Sequence, residues 1–257
     1  MKTKILLSIV SIAMFGCVKQ EGPSPAAVAA AATAPMTTIA APASRLNPYD
    51  SMGARHNVLL DAAMQFVRST RNTNQADITY HVLGYTAKSG QLDPGSLKDY
   101  AEKLQKAMTT DTTTLLASAK FSAEAEAFRI AIRDTLHTAG VSDYSVFKNK
   151  IVRIEERILA SGTLSIDERR ALLMAAAVAR YSMRYWSGWA NSGQGNHDMK
   201  TLGMFAPQVF PYAAAVYSAA DEAASAVVIY SGLPTEVWDC YVTLKSVMAF
   251  LDMVQAS

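Results

Sequence analysis

The stretch Ile166–Trp189, IDERRALLMAAAVARYSMRYWSGW, decides how this chain is read. Ala, Leu, Met, Glu and Arg, the strongest helix formers, dominate it, and neither Gly nor Pro interrupts it before Gly188. Just ahead, Ser165 and Glu168 form a capping box, in which each side chain satisfies the other residue's free backbone N–H. At helical spacing Arg169, Arg170, Arg180 and Arg184 fall on one arc of about 100°, and apolar or aromatic residues take most of the rest. A helix apolar on so many sides belongs inside a bundle, with one basic stripe. Arginines there need carboxylates from neighbouring helices. Asp221 and Glu222, which follow twenty uncharged positions (201–220), are expected to meet Arg180 or Arg184. The competing reading is that the stripe holds an anionic ligand or partner. Tyr181, Tyr185, Trp186 and Trp189 are read as core aromatics rather than as a sugar-stacking platform.

Working outward, the same periodicity recurs. A helix runs from about Ser51 to Ser69, with His56, Leu60, Ala63 and Val67 within about 20° of one line and Asn57, Asp61 and Arg68 on the polar side. Further helices are predicted at 74–88, 95–109, 121–138, 143–160, 208–230 and 235–254. Turn chemistry at Asp93-Pro94-Gly95-Ser96, and Gly140, Gly162 and Gly232 at helix C-termini, punctuate them. Thr112–Leu116 is the only short strand-like run. Pro207 and Pro211 interrupt the uncharged stretch, which is read as a buried core helix and not as a membrane span. The fold class is therefore all-α, an irregular bundle of about seven or eight helices.

Ahead of the first helix lies NPYDSMGARHNVLLD, Asn47–Asp61. Asn47-Pro48-Tyr49-Asp50-Ser51 is turn chemistry with two N-cap candidates, Asp50 and Ser51. The spacing of Asn47, Pro48, Tyr49, Asp50, Gly53, His56, Asn57, Leu60 and Asp61 resembles a pattern at the start of a family of helical bacterial proteins, many of them lipoproteins. Ala179-Arg180-Tyr181-Ser182 leading to Tyr185-Trp186 is a second echo. The resemblance spans some thirty residues and implies an exported helical protein; it implies no activity.

The N-terminus agrees with export. Lys2 and Lys4 precede an apolar stretch of eleven residues, Ile5–Phe15, then Gly16 and Cys17. As a helix that stretch would span only about 16 Å of a hydrocarbon core of ~30 Å, so a cleaved signal peptide is expected over 1–16. Met14-Phe15-Gly16-Cys17 resembles the lipobox of bacterial lipoproteins, with Met in place of the usual Leu and a bulky Phe following. The resemblance implies a lipidated Cys17. Residues 18–46, rich in Ala, Pro, Thr and Ser, complete a tether (17–46) of roughly 30 Å, leaving a single helical domain at 47–257. Without Lys2 and Lys4 the 24 basic residues fall to 22, equal to the 22 acidic ones, so no nucleic-acid partner is expected. Of the two cysteines, a lipidated Cys17 leaves Cys240 without an intramolecular disulfide, and the domain must rely on its core.

Motifs for chemistry are sparse. Asp77 and His81 stand at i,i+4, but no HExxH or Cys-rich pair accompanies them, and no metal or cofactor is expected. There is no GxSxG elbow, Cys240 has no evident partner, and Ser192–Asn196 lacks the strand a phosphate loop requires. His56 sits at the centre of an apolar face and is read as a hydrogen-bonded core histidine; Asn57 and Asp61, one turn apart, are read as surface polars. The candidate functional patch is Asp50, His56, Asn57, Asp61, Arg180 and Arg184. The leading expectation is a non-enzymatic, membrane-anchored lipoprotein of the cell envelope, periplasmic or at the outer membrane or surface, that binds an envelope protein partner. The alternatives are an exported hydrolase-like enzyme with a pocket around His56, Asp61 and the 191–205 loop, and an inhibitor or immunity-type lipoprotein.

Overall fold

The structure, a computed structural model, describes residues 41–109, 120–138, 144–191 and 234–255. All belong to one of the chain's two compact units, Thr38–Ser257. Among the described residues more than four-fifths are helical and none lies in a strand. Seven α-helices are described: α1 Asp50–Thr70, α2 Gln75–Lys88, α3 Leu97–Thr109, α4 Ala123–Thr138, α5 Tyr144–Ala160, α6 Ile166–Asn191 and α7 Thr235–Gln255, with a 3-10 turn at Pro94–Ser96 before α3. The all-α reading holds, and these bounds fall within two residues of the predicted ones. The predicted helix 208–230, with Asp221 and Glu222, and the strand-like run 112–116 lie outside the described residues.

Local chemistry accounts for the helix ends. Asn74 caps α2, its side-chain oxygen accepting from Ala76 N and Asp77 N, and Arg71 closes α1 in the left-handed region at φ 56°. The capping box forms: Ser165 N donates to Glu168 Oε2 at 2.9 Å, and Glu168 N to Ser165 Oγ at 3.2 Å. Those bonds, with one from Ser122 N, hold the Glu168 carboxyl at about 2 against the opposing cost of burial. One cap differs from expectation. Asp50 is already helical, its N-cap is Tyr49 and makes no side-chain cap, because the Asp50 carboxylate is engaged elsewhere.

α1 lies against α2, α6 and α7; α6 also receives α4 and α5. Ala171–Arg180 of α6 is buried at every position, as its all-round apolar sequence demands. Leu60, Ala63, Met64 and Val67 of α1 are completely buried against it and α7, each large side chain contributing roughly 1.5–3 kcal/mol of transfer free energy. Trp186 stacks on Phe250 of α7 with ring centroids 4.8 Å apart. No helix among the described residues is long and apolar enough to cross a membrane.

Candidate functional site

Two sites are built on α1, one on each side. The first forms where α1 docks on α6. Arg180 is wholly buried, and its guanidinium is surrounded by acceptors. Its Nε and Nη2 donate to Glu155 Oε1 of α5 at 3.1 and 3.0 Å, Nη2 also to Asp50 Oδ1 at 2.5 Å, and Nη1 to the carbonyl of Pro42. Glu155 Oε1 further accepts from Asn47 Nδ2 at 2.7 Å, and the same amide donates to the carbonyl of Leu173 at 2.7 Å. Asp50 is completed by the Tyr181 hydroxyl at 2.8 Å and the Ser44 amide at 3.1 Å. Two carboxylates thus share one guanidinium, and neutral donors offset the excess negative charge. Burial, with the Asp50 carboxylate beside it, pushes the Tyr181 hydroxyl up to about 12, so it stays a donor.

The Asn47–Asp61 pattern is now explained by packing. Asn47 and Asp50 tie the start of α1 to α5 and α6. Gly53 lets the two helices touch: a Cβ there would lie 2.6 Å from the carbonyl oxygen of Ala177. Asn57 Nδ2 donates to the carbonyl of Tyr181 at 2.9 Å, Leu60 is core, and His56 is fully enclosed, its Nδ1 3.2 Å from Thr243 Oγ1 of α7. Burial alone drives the His56 imidazole down to about 3, so it is neutral at physiological pH. Asp61 is instead half exposed, with Gln65 Nε2 at 2.7 Å and Arg68 at 3.8 Å. The predicted patch is therefore not one cleft. Asp50 and Arg180 meet, Asn57 joins them through the Tyr181 backbone, while His56 and Asp61 face different surroundings. Arg184 lies over the Tyr144 ring at 6.0 Å. The carboxylates expected for the arginine stripe come, at Arg180, from Asp50 and Glu155. Residues 41–46, expected in the tether, also belong to this site through Pro42 and Ser44, and Lys148 Nζ donates to Ala41 O at 2.6 Å.

Glu155 and Asn47 were not among the expected site residues. Glu155 carried a signal: with Phe147, Ile151, Ile154 and Ile158 buried on one face of α5, it is a carboxylate placed within the apolar stripe.

The second site lies between α1, α2 and α7. A cleft of about 180 Å3 is lined by Arg55, Val58 and Leu59 of α1, Tyr85, Thr86 and the adjoining Ser89 and Gln91, and Glu236 and Asp239 of α7. Arg55 Nε donates to Asp239 Oδ2 at 2.5 Å, yet the two side chains are unequal, 35% and 2% exposed. Asp239 Oδ1 is buried without a hydrogen-bond partner. Burial raises the Asp239 carboxyl to about 7; the Arg55 charge and hydrogen bond pull it down, and Glu236 pushes it further up. The neighbouring Cys240 thiol, in contact with Thr86 Oγ1 at 3.3 Å, is pushed by burial up to about 12 and is inert as a nucleophile. Asp77 and His81 do not converge, since Asp77 accepts from Asn72 Nδ2 at 2.7 Å and His81 stacks on Phe66 at 4.5 Å. Among the described residues no group of three His, Cys, Asp or Glu side chains is placed to hold a metal ion. Compared with protein-family models, curated proteins and solved structures, the chain matches none.

Proposed function

We propose that this chain is an envelope lipoprotein precursor, cut before Cys17, lipidated there, and presenting its helical domain as a non-enzymatic binding module. The observation that carries the anchor is the order of Lys2 and Lys4, the apolar Ile5–Phe15 and the lipobox-like Met14-Phe15-Gly16-Cys17. Several acyl chains on one cysteine hold a protein at a membrane without any spanning helix. The domain's role follows from how its polar groups are used. Asp50, Asn57 and Arg180 of the predicted patch, together with Asn47 and Glu155, are spent on holding α1, α5 and α6 together. An enclosed neutral His56 and a solvent-facing Asp61 give a hydrolase-like pocket no support. The resemblance of the Asn47–Asp61 segment to a family rich in lipoproteins agrees with this reading.

Mass spectrometry of the protein extracted from membranes tests the anchor. An acylated N-terminal Cys17 is expected, and Cys17→Ser is expected to yield acyl-free protein, uncleaved or released. An acyl-free wild-type N-terminus starting elsewhere overturns it. Crosslinking in intact cells, followed by capture of the lipoprotein, tests the module: a specific envelope partner is expected, and hydrolytic turnover by the purified chain would overturn the non-enzymatic reading.

A further inference from the structure

Both sites hold a buried carboxylate oxygen with nothing bonded to it, Glu155 Oε2 and Asp239 Oδ1. Only the Asp239 carboxylate lines a cleft and has a charged partner that reaches in from solvent, whereas Arg180 is wholly buried. An unbonded oxygen of a desolvated carboxylate is costly to keep. Arg55 bonds only the other oxygen, through Nε, and a third of its side chain lies in solvent. It acts as a tethered stand-in cation. The charged groups facing Asp239 are Arg55 from α1 and Glu236 from its own helix, and Tyr85 of α2 also lines the cleft. With Asp239 ionised, two carboxylates against one arginine make the cleft net negative, and Val58, Leu59 and Tyr85 give it apolar and aromatic walls.

We propose that this cleft binds a small organic cation, whose ammonium replaces Arg55 on Asp239 and meets Glu236, and whose apolar body lies against Tyr85, Val58 and Leu59. The volume is below that of sites for drug-sized ligands, which restricts the occupant to a compact molecule. Tyr85 supplies an aromatic ring to the lining, and Ser89 and Gln91 supply side-chain oxygens. Entry requires Arg55 to turn outward, which its exposure permits. The proposal deepens the binding-module part of the reading above and does not involve the lipid anchor.

Titration of the full chain with n-butylammonium chloride, followed by calorimetry and by amide chemical shifts of α1 and α7, tests it. Saturable binding is expected at pH 8, with n-butanol and butyrate binding at least tenfold more weakly. Because the ammonium pairs with ionised Asp239, affinity should fall about thirtyfold from pH 8 to pH 5.5, the span over which a carboxyl at about 7 takes up its proton. Asp239→Asn should abolish binding, and Arg55→Ala, which removes the competing internal cation, should tighten it. Should Asp239→Asn fail to fold, the wild-type pH dependence and Glu236→Gln, expected to weaken binding severalfold, decide the matter. No saturable binding, affinity independent of pH, or butyrate binding as well as butylammonium overturns the proposal. Acyl mass and crosslinked partners read the anchored module separately, so failure here removes the cation site alone.

Discussion

Two arginine–carboxylate sites flank α1, and they are finished to different degrees. At Arg180 the cation is wholly buried, its partners come from two other helices and the segment before α1, and neutral donors add to Glu155 Oε1 and to Asp50. At Arg55 a third of the cation's side chain lies in solvent, and the buried carboxylate lines a small cleft. The first arrangement fixes helices: one guanidinium bonds two carboxylates and a backbone carbonyl at once. The second leaves a desolvated acid beside a small cleft, which is how binding sites are kept ready. Equal chemistry on one helix therefore serves structure on one side and is available for recognition on the other.

The sharpest way to break this contrast is at Arg180. Arg180→Ala leaves Glu155 and Asp50 close together without their shared cation, and is expected to cost about 3–5 kcal/mol, enough to unfold a marginally stable domain. Arg180→Lys should recover only part of that, since an ammonium cannot reproduce the bonds a planar guanidinium makes to Glu155, Asp50 and Pro42 at once. Urea unfolding reads both. A midpoint for Arg180→Ala within error of wild type would show that the site is solvated and that the contrast with Arg55 is false.

Next in size is Gly53→Ala, expected to cost about 1–3 kcal/mol. The new Cβ meets the Ala177 backbone, which cannot turn aside as a side chain would, so α1 and α6 must move apart. That loss exceeds the gain of up to ~1 kcal/mol in helix propensity. Gly84 is the control in the same measurement: it is helical, a Cβ there meets nothing within 4 Å, and Gly84→Ala should be stabilising.

These positions also show what the sequence makes legible. Helix positions follow from a periodicity that each segment carries by itself, so Ile166–Asn191 and Gln75–Lys88 were readable nearly to the residue. The burial of His56 was readable for the same reason, since its face is set by Leu60, Ala63 and Val67. Which carboxylate meets Arg180 was not, because that depends on how α5 and α1 cross α6, and no local pattern encodes a crossing. Asp50 looked like a cap, an equally good use of an Asp beside a turn. Asp239 gave no warning at all: in TEVWDCYV an acid between Trp238 and Cys240 reads as ordinary helix, and only the packing of α7 against its neighbouring helices removes the water.

A third prediction joins the two sides of α1 through pH. His56 has its folded pKa depressed to about 3, so its contribution is present above the unfolded value of 6.5 and is lost as pH falls toward 3. Asp239 has its folded value raised from 3.8 to about 7, so its contribution is present at low pH and is lost as pH rises through 7. Between about pH 4 and 6.5 the folded chain holds one proton more at Asp239 and one fewer at His56, and the two slopes cancel. Wild-type stability should therefore be nearly flat there as far as these groups set it. Asp239→Asn uncovers the histidine alone and should lose about 2 kcal/mol between pH 6.5 and 5, at ~1.4 kcal/mol per unit. A flat curve for Asp239→Asn would mean that His56 is not desolvated as its packing requires.

The smallest effect is expected at Arg55, and it is the one that separates the two sites most cleanly. Removing one partner of a buried pair is costly when the orphan must stay charged. Asp239 need not stay charged, because its carboxyl is already at about 7 and takes up a proton close to neutrality. Arg55 itself is partly solvated, and pairs of that kind contribute little. At pH 6 Arg55→Ala should thus cost under about 1 kcal/mol, a fraction of the loss at Arg180. The sign at higher pH differs. Arg55 holds the Asp239 carboxyl down, so its removal sends that carboxyl further up. The variant then gives up the stability of protonated Asp239 over a wider span of alkaline pH than wild type does. The gap between variant and wild type should widen steadily from pH 6 to pH 9 in chemical unfolding. A gap that is large at pH 6 and constant across that range would mean that Asp239 stays ionised throughout. It would then be as firmly held as Glu155 and Asp50, and the cleft beside it would be one more piece of helix packing.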